Sequence, residues 1–235
     1  MIQAKRAIIL AAGLGSRLRE ITVKTPKPLI TVKGRMFIET IIDALTQAGI
    51  YDITIVVGYK AEQFYKLKKK YPFVKFIINE HYSTCNNISS LYVARHLLED
   101  CYIFEADLYI ANPKIISKTI EQSCYLGYYT EQTNDWCAKL NQSGKICYFG
   151  IGGMEAYETK GISFFSKADG QKLRASLEAT WSDPNGKTKL WDDCVFNEHN
   201  HGLLLGVKEI SKTDVIEVDT LQELILLDKK YSKTL

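Results

Sequence analysis

The chain is expected to take an α/β fold: a mixed, mostly parallel sheet with helices on both faces and a small β-rich part in the second half. Three observations support this. Short apolar runs at 7–10, 53–57 and 101–106 read as strands buried on both faces, and amphipathic stretches separate them. The first run breaks into Ala11-Ala12-Gly13-Leu14-Gly15, a small-residue loop at a strand's carboxyl end, where open α/β sheets bind ligands. Beyond about residue 123 the pattern turns tyrosine-rich, with Asn/Gly turns between short runs.

The elements follow in order. Phe37, Ile38, Ile41, Ile42 and Leu45 recur at helical spacing, and Gly49 follows as a stop, so 36–48 reads as a helix. Residues 53–57 form a strand ending at Gly58-Tyr59, 61–70 a basic amphipathic helix, and 74–78 a strand ending before Asn79. Strand, helix, strand, helix, strand argues for parallel pairing. A helix is expected from Ser90 to about Glu99, then the strand at 101–106, then a helix begun by Asn112-Pro113. Residues 136–140 and 145–149 flank Asn141-Gln142-Ser143-Gly144 as a β-hairpin. Gly152-Gly153 reads as a turn, 161–166 as a strand, and 167–181 as a helix with Leu173 and Leu177 inward. Residues 190–200 read as a helix, 203–207 and 215–218 as late strands, and 220–231 as a closing helix.

The 235 residues, 46% hydrophobic and 24% charged, suffice for one domain with a sizeable core. Within it, residues 1 to about 122 and about 123 to 235 are read as two halves of differing character. A net charge of +3 is too mild to argue for nucleic acid. Lys66, Lys68, Lys69 and Lys70 read as a solvated helix face. The six cysteines contain no C-x-x-C pair, so neither a zinc site nor a redox motif is indicated. No run is long enough to span a membrane, no signal peptide is recognised, and a reducing cytoplasm is the simplest compartment. His199-Asn200-His201 lacks a third ligand and reads as a polar loop.

The glycine loop carries the chemistry. Small residues bring backbone N–H groups close to an anion, and Ser16, Arg17, Arg19, Lys24 and Lys27 follow within a few turns. A P-loop would need Gly-Lys-Ser/Thr, which is absent. A dinucleotide fingerprint would need a third glycine where Leu18 stands. Arg17 is instead a charged fork suited to phosphate oxygens. Asp107 sits at a strand tip, where a lone carboxylate is costly to desolvate and a magnesium ion is the natural partner. Glu217 and Asp219 alternate to one side of a late strand, although Asp219 also fits a helix cap.

Leu10-Ala11-Ala12-Gly13-Leu14-Gly15-Ser16-Arg17 with Thr25-Pro26-Lys27-Pro28 resembles the signature of the nucleotidyltransferases, or pyrophosphorylases. Val57-Gly58-Tyr59, Asn86 to Leu91, Thr133-Asn134-Asp135-Trp136, Trp191-Asp192 and Glu217-Val218-Asp219 extend the likeness to the bacterial choline-phosphate cytidylyltransferases. The resemblance implies a Rossmann-like nucleotidyltransferase fold and CMP transfer from CTP to phosphocholine with release of pyrophosphate. It implies catalysis by Lys27 and Arg17, and Mg2+ on Asp107 and Asp219. Nucleotide contacts would come from Leu10, Ala11, Ala12, Gly13, Gly15, Ser16, Gly58, Asn86, Ser90 and Ala106. Asn86 and Ser90 could equally act as helix caps. Trp136, Trp191, Asp192 and Glu217 would hold the quaternary ammonium, which aromatic faces and carboxylates can bind without hydrogen bonds; each tryptophan could also be core.

Other readings remain open. The acceptor could be 2-aminoethylphosphonate, a primary amine favouring carboxylates over a full aromatic cage, or a sugar 1-phosphate. A nucleotide-sugar glycosyltransferase would commonly show Asp-x-Asp where Asp107 is followed by Leu108-Tyr109. A non-catalytic sensor need not keep Lys27, Asp107 and Asp219 together.

Overall fold

The computed structural model describes residues 1–196, 199 and 201–234, with Arg19, Lys233 and Thr234 as backbone only. Seven strands form the central sheet: β1 (Arg6–Ala11), β2 (Asp52–Val57), β3 (Lys75–Ile78), β4 (Cys101–Glu105), β5 (Cys124–Leu140), β6 (Ile146–Phe165) and β7 (Gly206–Glu209). Their spatial order is β7-β5-β6-β4-β1-β2-β3. Only β6 runs against the others, so the sheet is mixed and mostly parallel, as the sequence led us to expect.

The apolar runs explain the layering. Along β1, Ala7, Ile9 and Ala11 face one core while Ile8 and Leu10 face the other. With both faces buried, a strand has no reason to alternate apolar and polar residues. The helix Phe37–Gln47 covers the first face through Ile38, Ile41, Ile42 and Leu45. The helices Ile88–Val93 and Lys167–Ser182 cover the second through Ile88, Leu91, Leu173 and Leu177. A third cluster joins Leu18, Ile30, Val32 and Phe37 to Val218, Leu221 and Leu224. It brings the C-terminal segment against the residues that follow the glycine loop.

Several local expectations need correction. Residues 61–69 form a 3₁₀ helix instead of an α-helix. Its buried anchors, Phe64 and Leu67, are three apart, a spacing that suits three residues per turn. The helix from Ser90 ends at Val93, followed by a 3₁₀ turn at Arg95–Leu97. Asn112 does cap, accepting from the Lys114 N–H, but the helix is one 3₁₀ turn, Pro113–Ile115. The hairpin at 141–144 forms, with the Asn141 N–H donating to the Lys145 carbonyl. Gly152-Gly153 is no turn: β6 runs through it, and Gly152 at φ +74° marks a bulge in a long bent ribbon. Of the helix expected over 190–200, Asp193–Phe196 is the helical part among the described residues; Asn197, Glu198 and Asn200 lie outside them. The closing helix is α over Leu221–Leu227 and 3₁₀ over Lys229–Thr234. Among the described residues no helix is long and apolar enough to cross a membrane.

Candidate active site

A cleft of about 430 Å³ opens at the carboxyl ends of β1 and β4. Gly15 adopts φ +62°, and its carbonyl accepts from Thr22 Oγ1 at 2.9 Å, which closes the loop on itself. Leu10, Ala11, Ala12, Gly13, Gly15 and Ser16 all line the cleft. So do Asn86, Ser90 and Ala106. The polar groups of Asn86 and Ser90 are partly engaged. Asn86 Nδ2 donates to the Thr188 carbonyl at 3.0 Å, and Ser90 Oγ accepts from Asn79 Nδ2 at 3.1 Å. Gly58 does not line the cleft. Its Cα faces the Tyr82 ring, and a Cβ there would lie 2.7 Å from it. Gly58 therefore seats Tyr82, which does line the cleft.

Three acidic residues and two cations meet at the cleft's far end. Lys27 starts a 3₁₀ turn between Pro26 and Pro28 and is only 7% exposed. Its Nζ donates to Asp107 Oδ2 at 3.1 Å and Asp219 Oδ1 at 2.8 Å. Arg17 Nη1 pairs with Asp219 Oδ2 at 2.5 Å. Asp107 follows β4 directly, and the next strand, Leu108–Ile110, pairs antiparallel with Val215–Glu217. That pairing sets Glu217 opposite Leu108 and so carries Asp219 to Asp107. The helix-capping alternative for Asp219 does not hold. Thr220 caps the helix, and the Asp219 N–H donates to Glu223 Oε2, leaving the Asp219 carboxylate to the site.

Carboxylate oxygens of Asp107, Glu217 and Asp219 lie within 4.8 Å of one another. Asp107 Oδ1 is buried and has no hydrogen-bond partner. A buried carboxylate oxygen without a donor is costly, and three oxygen ligands facing one point suit a hard divalent cation, so the residues fit magnesium. Burial alone would lower the Lys27 pKa, but the charges of Asp107 and Asp219 raise it above the ordinary lysine value. Burial, with Asp107 and Asp219 nearby, pushes the Glu217 carboxyl up to about 7.

The sequence reading passed over Glu105, Tyr82, Asn87 and Ser89, which also line the cleft. Glu105 Oε1 accepts from Trp191 Nε1 at 3.0 Å and Asn87 Nδ2 at 3.3 Å. Burial and Asp107 push its carboxyl up to about 8. Its place two residues before Asp107 was the available signal.

The proposed acceptor residues scatter. Glu217 lines a second cavity of about 370 Å³ that shares Asp219 with the cleft. Trp191 is 2% exposed and lies behind the site, its indole N–H spent on Glu105. Asp192 Oδ1 accepts from the Tyr125 hydroxyl at 2.8 Å. Trp136 is half-buried and stacks on Phe149 with ring centroids 5.5 Å apart. Trp191, Asp192 and Trp136 line neither cavity.

A small-residue loop for phosphates, a fork and an ammonium for their charge, and a carboxylate trio beside them define a nucleotidyltransferase site. Comparison with known proteins agrees. The model of the MobA-like NTP transferase domain matches residues 7–147. The chain is 40% identical over 228 residues to a 2-aminoethylphosphonate cytidylyltransferase of Lancefieldella rimae, covering 96% of this chain and 92% of that protein. It is 34% identical over 218 residues to a choline-phosphate cytidylyltransferase of Haemophilus influenzae, covering 92% and 93%. The solved CTP:phosphocholine cytidylyltransferase of Streptococcus pneumoniae superposes with a TM-score of 0.89 at 32% identity, over 97% of this chain and 99% of that one. The chain belongs to the MobA-like NTP transferase family and is a cytidylyltransferase. The expected fold and family are both borne out.

Proposed function

We propose that the chain transfers CMP from CTP to a small acceptor carrying a phosphonate or phosphate at one end and an ammonium at the other, with 2-aminoethylphosphonate the favoured acceptor. The observation that carries this is the second cavity, where Asp135 and Glu217 supply carboxylates and Asp219 joins it to the cleft. A primary ammonium can donate three hydrogen bonds to such groups. Trp191, one of the two expected cage walls, is turned into the protein. The relative with 40% identity favours the same acceptor.

The loop N–H groups and Arg17 hold the β- and γ-phosphates and stabilise the departing pyrophosphate. Lys27 neutralises charge that develops at the α-phosphorus. Asp107, Asp219 and Glu217 would hold a magnesium ion, which when bound neutralises phosphate charge between the two substrates. The acceptor oxygen is already ionised, so the protein's task is positioning and charge, with in-line attack on the α-phosphorus.

A second reading keeps phosphocholine as acceptor. It is favoured by the two choline-phosphate relatives and by the partly exposed ring of Trp136. Pyrophosphate release from each of the four NTPs, with either acceptor, tests both. Release with CTP and 2-aminoethylphosphonate at the higher kcat/KM supports the first reading. A preference for phosphocholine that Trp136→Ala abolishes would replace it with the second.

A further inference from the structure

The cavity beyond Asp219 contains an aromatic ring that already carries two ammonium groups. Tyr128 is 7% exposed, and Lys160 Nζ and Lys212 Nζ each lie 5.5 Å from its ring centroid. The two lysines differ in how they are held. Lys160 is 9% exposed and donates to Glu158 Oε1 at 2.6 Å, while Glu158 Oε2 accepts from Thr133 Oγ1 at 2.6 Å. Lys160 is therefore built into the wall. Lys212 is exposed, and among the described residues no carboxylate pairs with it. Asp135 and Glu217 line the same cavity, and Asp219 joins it to the reacting centre.

An aromatic face with carboxylates around it is how proteins hold an ammonium. Here that place is taken by an ammonium of the chain itself, without an ion pair to fix it. We propose that Tyr128 is the ammonium subsite for the acceptor and that Lys212 is its displaceable occupant. The acceptor's ammonium takes the place of Lys212 over the ring, beside Asp135 and Glu217, and its anionic end faces Asp219 and Lys27. An acceptor without a cation has nothing with which to replace Lys212, so the lysine also works against neutral-tailed phosphonates. The inference rests on the ammonium-acceptor reading of the reaction.

Lys212→Met keeps the apolar stem and removes the charge, at an exposed position where folding is not at risk. The KM for 2-aminoethylphosphonate should fall about threefold or more, the scale of one exposed cation–π contact. The KM for CTP, bound in the other cleft, should not move, and inhibition by ethylphosphonate should gain less than acceptor binding does. An unchanged acceptor KM overturns the proposal, and so does a raised one, which would mean that Lys212 grips the anionic end. Tyr128→Leu should raise the acceptor KM by about tenfold, with Tyr128→Phe restoring it because the ring remains. Equal losses in both variants overturn the role of the ring. If the wild-type protein turns over neither ammonium acceptor but accepts a sugar 1-phosphate, the reading of the reaction fails and this inference with it. Wild-type turnover with an unaffected Lys212→Met defeats the inference alone.

Discussion

Lys27 Nζ lies 2.8 Å from Asp219 Oδ1, though 192 positions separate the two residues in the chain. The approach is made by the apolar cluster in which Leu18 and Ile30 pack with Val218 and Leu221. The same ammonium holds Asp107, so one lysine neutralises two acids that would otherwise repel each other. Its position beside those acids lets it meet phosphate charge as that charge shifts toward the transition state.

Lys27→Met should therefore lower kcat for pyrophosphate release by about 100-fold or more, the scale of losing one preorganised charge partner. The circular dichroism spectrum should stay that of the wild type. Near-normal turnover in this variant would remove Lys27 from the chemistry.

Asp107→Asn tests the metal assignment without relying on turnover. Asp107 Oδ1 is the buried oxygen lacking a partner, and an amide is a much poorer ligand for a hard cation. Manganese, titrated into the substrate-free protein and followed by electron paramagnetic resonance, should bind at least about 10-fold more weakly. Unaltered manganese binding would place the ion elsewhere.

Gly15→Ala and Gly144→Ala form a matched pair. Both glycines have positive φ, +62° and +72°, so each substitution should cost about 1–2 kcal/mol of stability. A Cβ at Gly144 meets nothing within 4 Å, whereas at Gly15 it lies 2.9 Å from Thr22 Cγ2 and 3.2 Å from Lys27 Cβ. Both variants should lose Tm, but only Gly15→Ala should lose kcat, because it moves Lys27. Equal kcat in the two variants would show that the loop has slack.

What could be read from the sequence was local. The loop from Ala11 to Arg17, Lys27 between prolines and Asp107 at a strand tip are each a few residues long, and each reaches the cleft. Tyr128 and Lys160 acquire meaning only when distant strands meet, and nothing in their immediate neighbours marks them, whereas Glu105 could have been found from Asp107 two residues on. Trp191 was misleading for a related reason: an aromatic residue next to an acid looks the same whether its face is open or closed. Gly152-Gly153 resembles a turn by composition, but the pairing of Thr133 with Gly153 and Trp136 with Ile151 turns it into a bulge. Strand alternation suggested one side for Glu217 and Asp219, and their carboxylates do lie within 4.8 Å of each other and of Asp107, although the strand ends at Glu217 and its partner at 108–110 could not be foreseen.

Asp192 offers a pH test away from the carboxylate trio. Burial pushes its carboxyl from 3.8 up to about 7, against the opposing effect of the Tyr125 hydroxyl, which donates to Oδ1 at 2.8 Å. Folding therefore favours the protonated acid. Its contribution to stability is fully present below the unfolded value of 3.8 and is lost as pH rises through about 7. In Asp192→Asn the amide oxygen accepts the same hydrogen bond and never ionises. The Tm of the variant minus that of the wild type should thus be smallest near about pH 4 and grow more positive up to about pH 8. A difference that stays constant, or shrinks as pH rises, would mean that Asp192 is ionised in the folded protein without penalty and that another group balances its charge.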